Sequence, residues 1–403
     1  MSKLISLDDT IAAISTPIGE SGVGIVRLSG KDALLIADRI FKSKNGKKPS
    51  EMPSFTTHYG WIVEECLLPD GVKSKDSLQP EVIDEVILTV MHAPRTYTRE
   101  DIVEINCHGG AVSLKKALGL VINLGARLAQ PGEFTKRAYL NGRIDLTQAE
   151  AVLDIIKSRT SRSLDCAVKQ LKGDLSGEIG LLRNKMLNLS VNIEARIDFP
   201  DDVAGSLRLK PGVNDIIEKL ERLINSFEWG QILREGVSIV ICGRPNVGKS
   251  SLMNALLREN RVIVTPLPGT TRDTIEEQIN IKGLPLRVID TAGLAGEKDY
   301  IGYLTAKRAE VMIAEADLVL FVFDGSRALN NEDRSIINKI KDKKLIVVIN
   351  KIDLPLMLNL DRIEKILKDK KIVKISATKK IGLELLEDDI SEMVFQGELI
   401  TDN

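Results

Sequence analysis

The chain has 403 residues, 43% of them hydrophobic and 28% charged, enough to bury several cores and typical of a soluble protein of two or three domains. Its 56 Lys and Arg against 57 Asp and Glu leave a formal net charge of -1, which excludes a global basic field, so any RNA contact has to be local. No apolar run reaches the ~18 residues that cross a bilayer and the start carries no signal-peptide core, while Cys66, Cys107, Cys166 and Cys242 lie too far apart for a metal knuckle or disulfide framework; a cytoplasmic protein with free thiols and no membrane contact is expected.

In chain order, residues 1–141 mix β-rich runs such as Val82–Val90 and Ile102–Ile105 with turn clusters (Pro69-Asp70-Gly71) and helices around 31–41 and 112–123, which predicts one α+β domain. A proline-free stretch from Gly132 to Phe199 repeats Val152, Ile156, Leu164, Val168, Leu171, Leu175, Ile179, Leu182 and Leu189 at helical spacing until Pro200. A further helix is predicted from Val213 to Leu233, after Pro211-Gly212, with Ile216, Ile217, Leu220, Leu223 and Ile224 as a core-facing stripe. Residues 142–234 thus form a helical domain. From Gly236, apolar strands (Val237–Ile241, Leu286–Ile289, Leu318–Phe323, Leu345–Ile349, Ile372–Ile375) alternate with helical segments to about residue 392, the pattern of a parallel α/β sheet, leaving 393–403 as a tail.

After the strand ending at Cys242 comes Gly243-Arg244-Pro245-Asn246-Val247-Gly248-Lys249-Ser250, then Ser251 and an apolar helix: a P-loop. Its backbone N–H groups wrap phosphate at a helix N-terminus, the Lys249 ammonium neutralises β and γ oxygens, and the Ser250 hydroxyl suits magnesium. Asp290-Thr291-Ala292-Gly293 follows the second strand, where Asp290 can hold the magnesium water shell and Gly293 can meet the γ-phosphate. Asn350-Lys351-Ile352-Asp353 ends a later strand; the Asp353 carboxylate can accept from guanine N1–H and the exocyclic amine, a pair of donors that adenine does not present, so GTP is favoured over ATP. Ser376-Ala377-Thr378 is placed for a backbone N–H to reach guanine O6, although a plain strand-to-helix turn explains it equally well.

Between P-loop and Asp290 lies Thr265-Pro266-Leu267-Pro268-Gly269-Thr270-Thr271, sited as switch I, with Thr271 the second candidate magnesium ligand. The residue after Gly293 is Leu294, which cannot orient water as the glutamine of Ras-like GTPases does. Asn246 below that long loop resembles potassium-dependent GTPases, in which a monovalent cation takes the place of an arginine finger. The resemblance implies the Asn246 side chain and backbone oxygens of Thr265, Leu267 and Thr270 as potassium ligands.

The first half narrows the choice. Asp9-Thr10-Ile11-Ala12-Ala13, Gly22-Val23-Gly24-Ile25-Val26-Arg27-Leu28-Ser29-Gly30, Arg95-Thr96-Tyr97-Thr98-Arg99-Glu100-Asp101, Cys107-His108-Gly109-Gly110, Pro131-Gly132-Glu133-Phe134-Thr135-Lys136-Arg137-Ala138, Asp145-Leu146-Thr147-Gln148-Ala149-Glu150-Ala151 and Ile197-Asp198-Phe199-Pro200 are similar to motifs of the MnmE (TrmE) tRNA-modification GTPases, over nearly the whole chain to about residue 390. The resemblance implies a multidomain α/β chain: an N-terminal α+β folate-binding domain that forms a homodimer, a central helical domain and a P-loop (Ras-like) α/β GTPase domain. It implies 5-formyl- or methylene-tetrahydrofolate bound at Arg27, Glu104 and Arg143, and a one-carbon unit placed on the wobble uridine of tRNA (cmnm5U/nm5U formation). The partner is the FAD-dependent MnmG (GidA), in a heterotetramer, with GTP hydrolysis driving the cycle. Residue chemistry by itself reads Arg27, Glu104 and Arg143 as surface salt-bridge groups. Cys107 beside His108 reads as packing and turn chemistry, since neighbours on a strand point to opposite faces.

Two departures stand out. The family's water-polarising glutamate aligns with Asp299 when the shortened Leu294–Gly302 segment is anchored on Ile301-Gly302, with Glu297 as its rival; the shorter side chain predicts slow hydrolysis. The family's further helices and Cys-x-Gly-Lys tail have no counterpart before Asn403, so the apolar stripe of 145–233 is expected to lack part of its cover. Either the sequence is truncated or the modification step is lost, which keeps open a second function, a non-modifying GTP switch or scaffold; a ribosome-assembly GTPase leaves residues 1–200 unexplained.

Overall fold

Strands β1 (Ile11–Ile14), β2 (Gly24–Ser29), β3 (Phe41–Ser43), β4 (Thr56–Glu64), β5 (Glu81–Met91), β6 (Ile102–Cys107) and β7 (Arg127–Leu128) form one sheet of the computed structural model, in the order β3-β4-β5-β6-β2-β1-β7. The structure describes residues 8–64, 81–198, 209–260, 276–290 and 311–395. This sheet belongs to the first of two units, Met1–Val152 and Leu153–Asn403. All its ladders are antiparallel except the short β1–β7 pair. Alternation along β2 and β6 turns Val26, Leu28, Val103 and Ile105 into a core shared with Ile36 and Ile40 of α1 (Ala33–Ile40) and Leu114 and Val121 of α2 (Ala111–Asn123). The α+β reading of this region stands, with more strands than the two runs the sequence singled out.

The predicted helical stretch after Gly132 is four helices: α3 (Glu133–Leu140), α4 (Leu146–Lys157), α5 (Ser161–Lys172) and α6 (Asp174–Asp198). Hydrophobic period does not show the breaks, because they come from caps: Thr160 and Ser163 form a reciprocal capping box ahead of α5, and Gly173 ends it. Helix α7 (Leu209–Glu235) begins before Pro211-Gly212 rather than after it. A proline costs nothing in the first turn of a helix, where no N–H has an intrahelical acceptor. The expected core stripe of α7 buries only at Ile216, while Ile217, Leu220 and Ile224 remain exposed, as do Ile179, Leu181, Leu187, Val191 and Ile197 of α6.

The second sheet, β8 (Val237–Cys242), β9 (Glu276–Ile281), β10 (Leu284–Asp290), β11 (Leu318–Asp324), β12 (Leu345–Asn350) and β13 (Lys371–Lys374), has the order β13-β12-β11-β8-β10-β9. Five strands are parallel, as their apolar runs predicted, and β11 and β12 are buried along their whole length. The strand missed by the sequence, β9, is antiparallel to β10 through a tight turn in which Lys282 and Gly283 both have positive φ. Among the described residues no helix is long and apolar enough to cross a membrane.

Candidate functional site

Parallel strands deliver their C-terminal ends to one edge of the sheet, and every described nucleotide motif sits at that edge. The loop after β8 runs through Gly243 (φ 145°), Asn246 (φ 65°) and Gly248 (φ 98°) into α8 (Lys249–Asn260). Side chains are excluded at two of these positions. A Cβ on Gly243 would stand 2.4 Å from the Val322 carbonyl oxygen, and one on Gly248 would stand 2.2 Å from Asn350 Nδ2. The Lys249 ammonium, buried, donates to the carbonyls of Gly243 (2.9 Å) and Arg244 (2.8 Å), which holds it inside the loop it serves. Arg244 anchors the loop laterally by donating to Asp333 (3.0 Å), the residue that also completes the capping box of helix Asn331–Ile340 with Asn330. Cys242, at the end of β8, has its thiol pushed up to about 12 by burial, so it packs and does not react.

Asn350 joins three loops. Only 2% exposed, it donates from Nδ2 to the Val247 carbonyl (3.0 Å) and accepts at Oδ1 from the N–H of Lys351 (2.8 Å) and of Ala377 (3.0 Å). Lys351, at φ 63°, sends its ammonium to the Asn246 carbonyl (2.8 Å) and to Asp324 Oδ2 (2.7 Å) at the end of β11. Asp353 Oδ1 accepts from the Ser376 hydroxyl (2.6 Å), and that hydrogen bond holds its carboxyl below the usual range, ionised and able to accept further donors. The Ser376 N–H donates to the Ile381 carbonyl (2.9 Å) and the Ala377 N–H to Asn350. Of the three N–H groups in Ser376-Ala377-Thr378, that of Thr378 is then the one without a partner among the described residues.

In the first unit, β2 and β6 pair Arg27 with Glu104 in register, and both Nε (2.7 Å) and a terminal nitrogen (2.6 Å) of the guanidinium converge on Oε1. Arg27 also lies over the Phe134 ring at 5.7 Å, Arg143 lies over the Tyr97 ring at 4.9 Å, and the Tyr97 hydroxyl meets Thr135 at 2.9 Å. Arg27, paired with Glu104, and Arg143 are thus tied to adjacent residues of α3, the first directly at Phe134 and the second through Tyr97 at Thr135. Arg137 (1% exposed) donates to Glu100 Oε1 (3.0 Å), Glu133 Oε1 (3.4 Å) and Asp9, while Arg127 bridges Asp9 (2.6 Å) and Glu133 (3.1 Å). This network ties α3 to the 96–101 loop.

Family descriptions cover most of the chain: "GTP-binding protein TrmE N-terminus" matches residues 10–143 and "MnmE helical domain" matches residues 146–403. The protein named tRNA modification GTPase MnmE in Alkaliphilus oremlandii is 48% identical over 394 residues, covering 97% of this chain and 83% of the relative. Proteins of the same name in Thermoanaerobacter sp. strain X514 and Geobacillus kaustophilus are 49% and 46% identical at the same coverage. The chain belongs to the MnmE family of tRNA modification GTPases.

Several of the residues singled out in this MnmE-family chain fall outside the described residues: Thr265, Pro266, Leu267, Pro268, Gly269, Thr270 and Thr271, then Thr291, Ala292 and Gly293, and both Glu297 and Asp299. The backbone of Asp290 ends β10 opposite Ile241 of β8, one residue from the P-loop strand's end. Asp324 was missed by the sequence reading, which ended its strand at Phe323; the signal was an acidic residue closing an apolar strand and followed by Gly325-Ser326. Cys107 and His108 diverge as expected. Burial, with Asp84 nearby, pushes the Cys107 thiol up to about 12, whereas exposed His108 donates its N–H to Asp84 (2.8 Å) and brings Nδ1 within 2.6 Å of the same carboxylate.

Proposed function

We propose that the chain is a potassium-dependent GTP hydrolase that acts in modification of the tRNA wobble uridine, with a tetrahydrofolate one-carbon donor and the FAD-dependent partner MnmG. The observation that carries the GTP reading is the convergence at Asn350, which ties the phosphate loop to both loops that would read the base. In this reading Asp353 accepts from guanine N1–H and the exocyclic amine, and the Thr378 N–H donates to O6. The P-loop N–H groups and the Lys249 ammonium hold the phosphates, with Ser250, Thr271 and Asp290 toward magnesium. Magnesium and potassium, when bound, supply positive charge against that developing on the phosphoryl oxygens. Asn246 fits a cation ligand in one respect: its positive φ and the Lys351 hold on its carbonyl fix the residue in the loop. Thr265, Leu267 and Thr270 complete the proposed potassium set, and Asp299, with Glu297 as alternative, orients the attacking water.

The folate reading is supported by the charge pattern around Glu104, because Arg27 occupies only Oε1 and leaves Oε2 without a partner among the described residues. That oxygen can accept from a pterin amine and ring N–H, and Arg143 suits a carboxylate or carbonyl oxygen. We further propose residues 1–141 as the folate and dimerisation domain, 142–234 as the helical domain and 235–392 as the G domain, acting in the cytoplasm in a heterotetramer with MnmG. Two measurements test the proposal. GTP turnover is expected to be faster in potassium than in sodium, and equal rates refute the cation assignment; loss of activity in Glu297→Ala with Asp299→Ala unchanged reverses the water assignment. Mass spectrometry of wobble uridines in cells lacking the gene is expected to show loss of the modification, and an unchanged spectrum refutes the tRNA role.

A further inference from the structure

Asp324 closes β11 in the gap between the P-loop strand β8 and the guanine-loop strand β12, and its carboxylate is 4% exposed. Burial alone would raise its pKa; the Lys351 ammonium and the Ser326 hydroxyl and N–H reverse this and hold the group below the usual carboxylate range, ionised. Its two oxygens face different neighbours. Oδ1 accepts from the Ser326 N–H (3.0 Å) and hydroxyl (2.6 Å), which fixes the plane of the carboxylate. Oδ2 then points to Lys351 Nζ at 2.7 Å, with the exposed Arg327 guanidinium farther off at 3.6 Å. The same ammonium donates to the Asn246 carbonyl at 2.8 Å, so a single chain of contacts runs from the end of β11 through the guanine loop to the phosphate loop.

We propose that Asp324 is a positioning residue for guanine-nucleotide binding: acting through Lys351, it fixes the spacing between the guanine loop and the P-loop at Asn246. The proposal rests on the GTP reading given above. Lys351 has two acceptors here, one neutral and one charged, and 31% of its side chain is exposed to solvent. A four-carbon ammonium with the neutral acceptor alone gives up little by turning to water, and Asn246 is released with it. The carboxylate makes the bridged arrangement the favoured one before nucleotide arrives, which is preorganisation of the pocket.

The experiment is a double-mutant cycle on release of a fluorescent GDP from the full chain, using Asp324→Asn, Lys351→Met and the double variant. Asn at 324 can keep the Ser326 contacts on its oxygen, and it then turns an amide NH2 toward the Lys351 ammonium, so both the charge and the acceptor are lost there. Asp324→Asn is expected to fold, to melt slightly lower and to release GDP about tenfold faster, since a charge-assisted hydrogen bond present before nucleotide binds is lost. Lys351→Met is expected to be at least as fast, and the double variant no faster than Lys351→Met alone, because the first residue acts through the second. Multiplicative effects in the double variant, or wild-type release in Asp324→Asn, overturn the proposal. If Asp324→Asn does not fold, the cycle is run with Ser326→Ala, for which a smaller effect that again vanishes on Lys351→Met supports the proposal and a multiplicative one overturns it. A wild-type chain that does not retain GDP would instead sink the underlying reading of the site.

Discussion

Replacing Asn350 with alanine tests the central contact of the nucleotide site. The side chain makes three hydrogen bonds at 2.8–3.0 Å, to Val247, Lys351 and Ala377. At about 1 kcal/mol net each they are worth ~3 kcal/mol, and the buried Ala377 N–H left without an acceptor adds ~1–2 kcal/mol, giving ~4–5 kcal/mol in all. The loss divides between a lower melting temperature of the nucleotide-free protein and weaker GDP retention, since the bonds are present before ligand binds and the bound state demands the same loop positions. Melting at saturating GDP therefore reads most of the sum. If ~3 kcal/mol falls on affinity, GDP release accelerates on the order of 10²-fold. Asn350→Asp separates the parts: it keeps both acceptor contacts but sets an oxygen against the Val247 carbonyl, so it should hold the guanine loops while loosening the P-loop. Wild-type melting with GDP and release within about threefold for Asn350→Ala would refute the idea that this residue joins the loops.

Gly248→Ala combines a left-handed φ of 98° with a Cβ 2.2 Å from Asn350 Nδ2, so GDP binding by calorimetry is expected to be lost while far-UV circular dichroism is retained. Arg137→Met leaves Glu100 without a cation and Asp9 and Glu133 with Arg127 alone, and a cost of ~3–5 kcal/mol in urea unfolding is expected, with a shift below about 1 kcal/mol refuting the network's role. Burial would raise Asp9 and Glu133, but their arginine partners lower both. Their stabilisation is thus complete above the unfolded carboxylate pKa of about 4 and lost as pH falls toward the folded values, and Arg137→Met moves the onset of acid unfolding upward. Among the described cysteines, iodoacetamide at neutral pH should label exposed Cys166 and spare Cys107 and Cys242, whose thiols are pushed up to about 12, until the chain is denatured; peptide mass spectrometry reads the pattern.

The G-domain strands were legible because both faces of β11 and β12 are buried, which writes a continuous apolar run into the sequence. Strand β9 was not, since Glu276, Glu277, Gln278 and Asn280 leave only Ile279 and Ile281 apolar on an edge strand, and its hairpin with β10 makes it a strand. Helix existence was legible from period and helix number was not, because Thr160 and Gly173 act through capping rather than hydrophobicity. The stripe assigned to the core on α7 illustrates a further limit: period three to four reports that a face is apolar, not that anything covers it, and Ile224 is 64% exposed.

The two halves of the chain show that motif length and ligand contact are separate matters. Four charges of the long N-terminal motifs, Asp9, Glu100, Glu133 and Arg137, are consumed by one another across as many as 128 residues of sequence, and what they achieve is to hold the loop carrying Tyr97 against α3. In the G domain the opposite holds, for Asp324 lies in no recognised motif and yet lies between two that are. Parallel strands explain why. Motifs are read along the chain, but β8, β11 and β12 end side by side, so the residue that closes the middle strand is a neighbour of both loops whatever its separation from them in sequence.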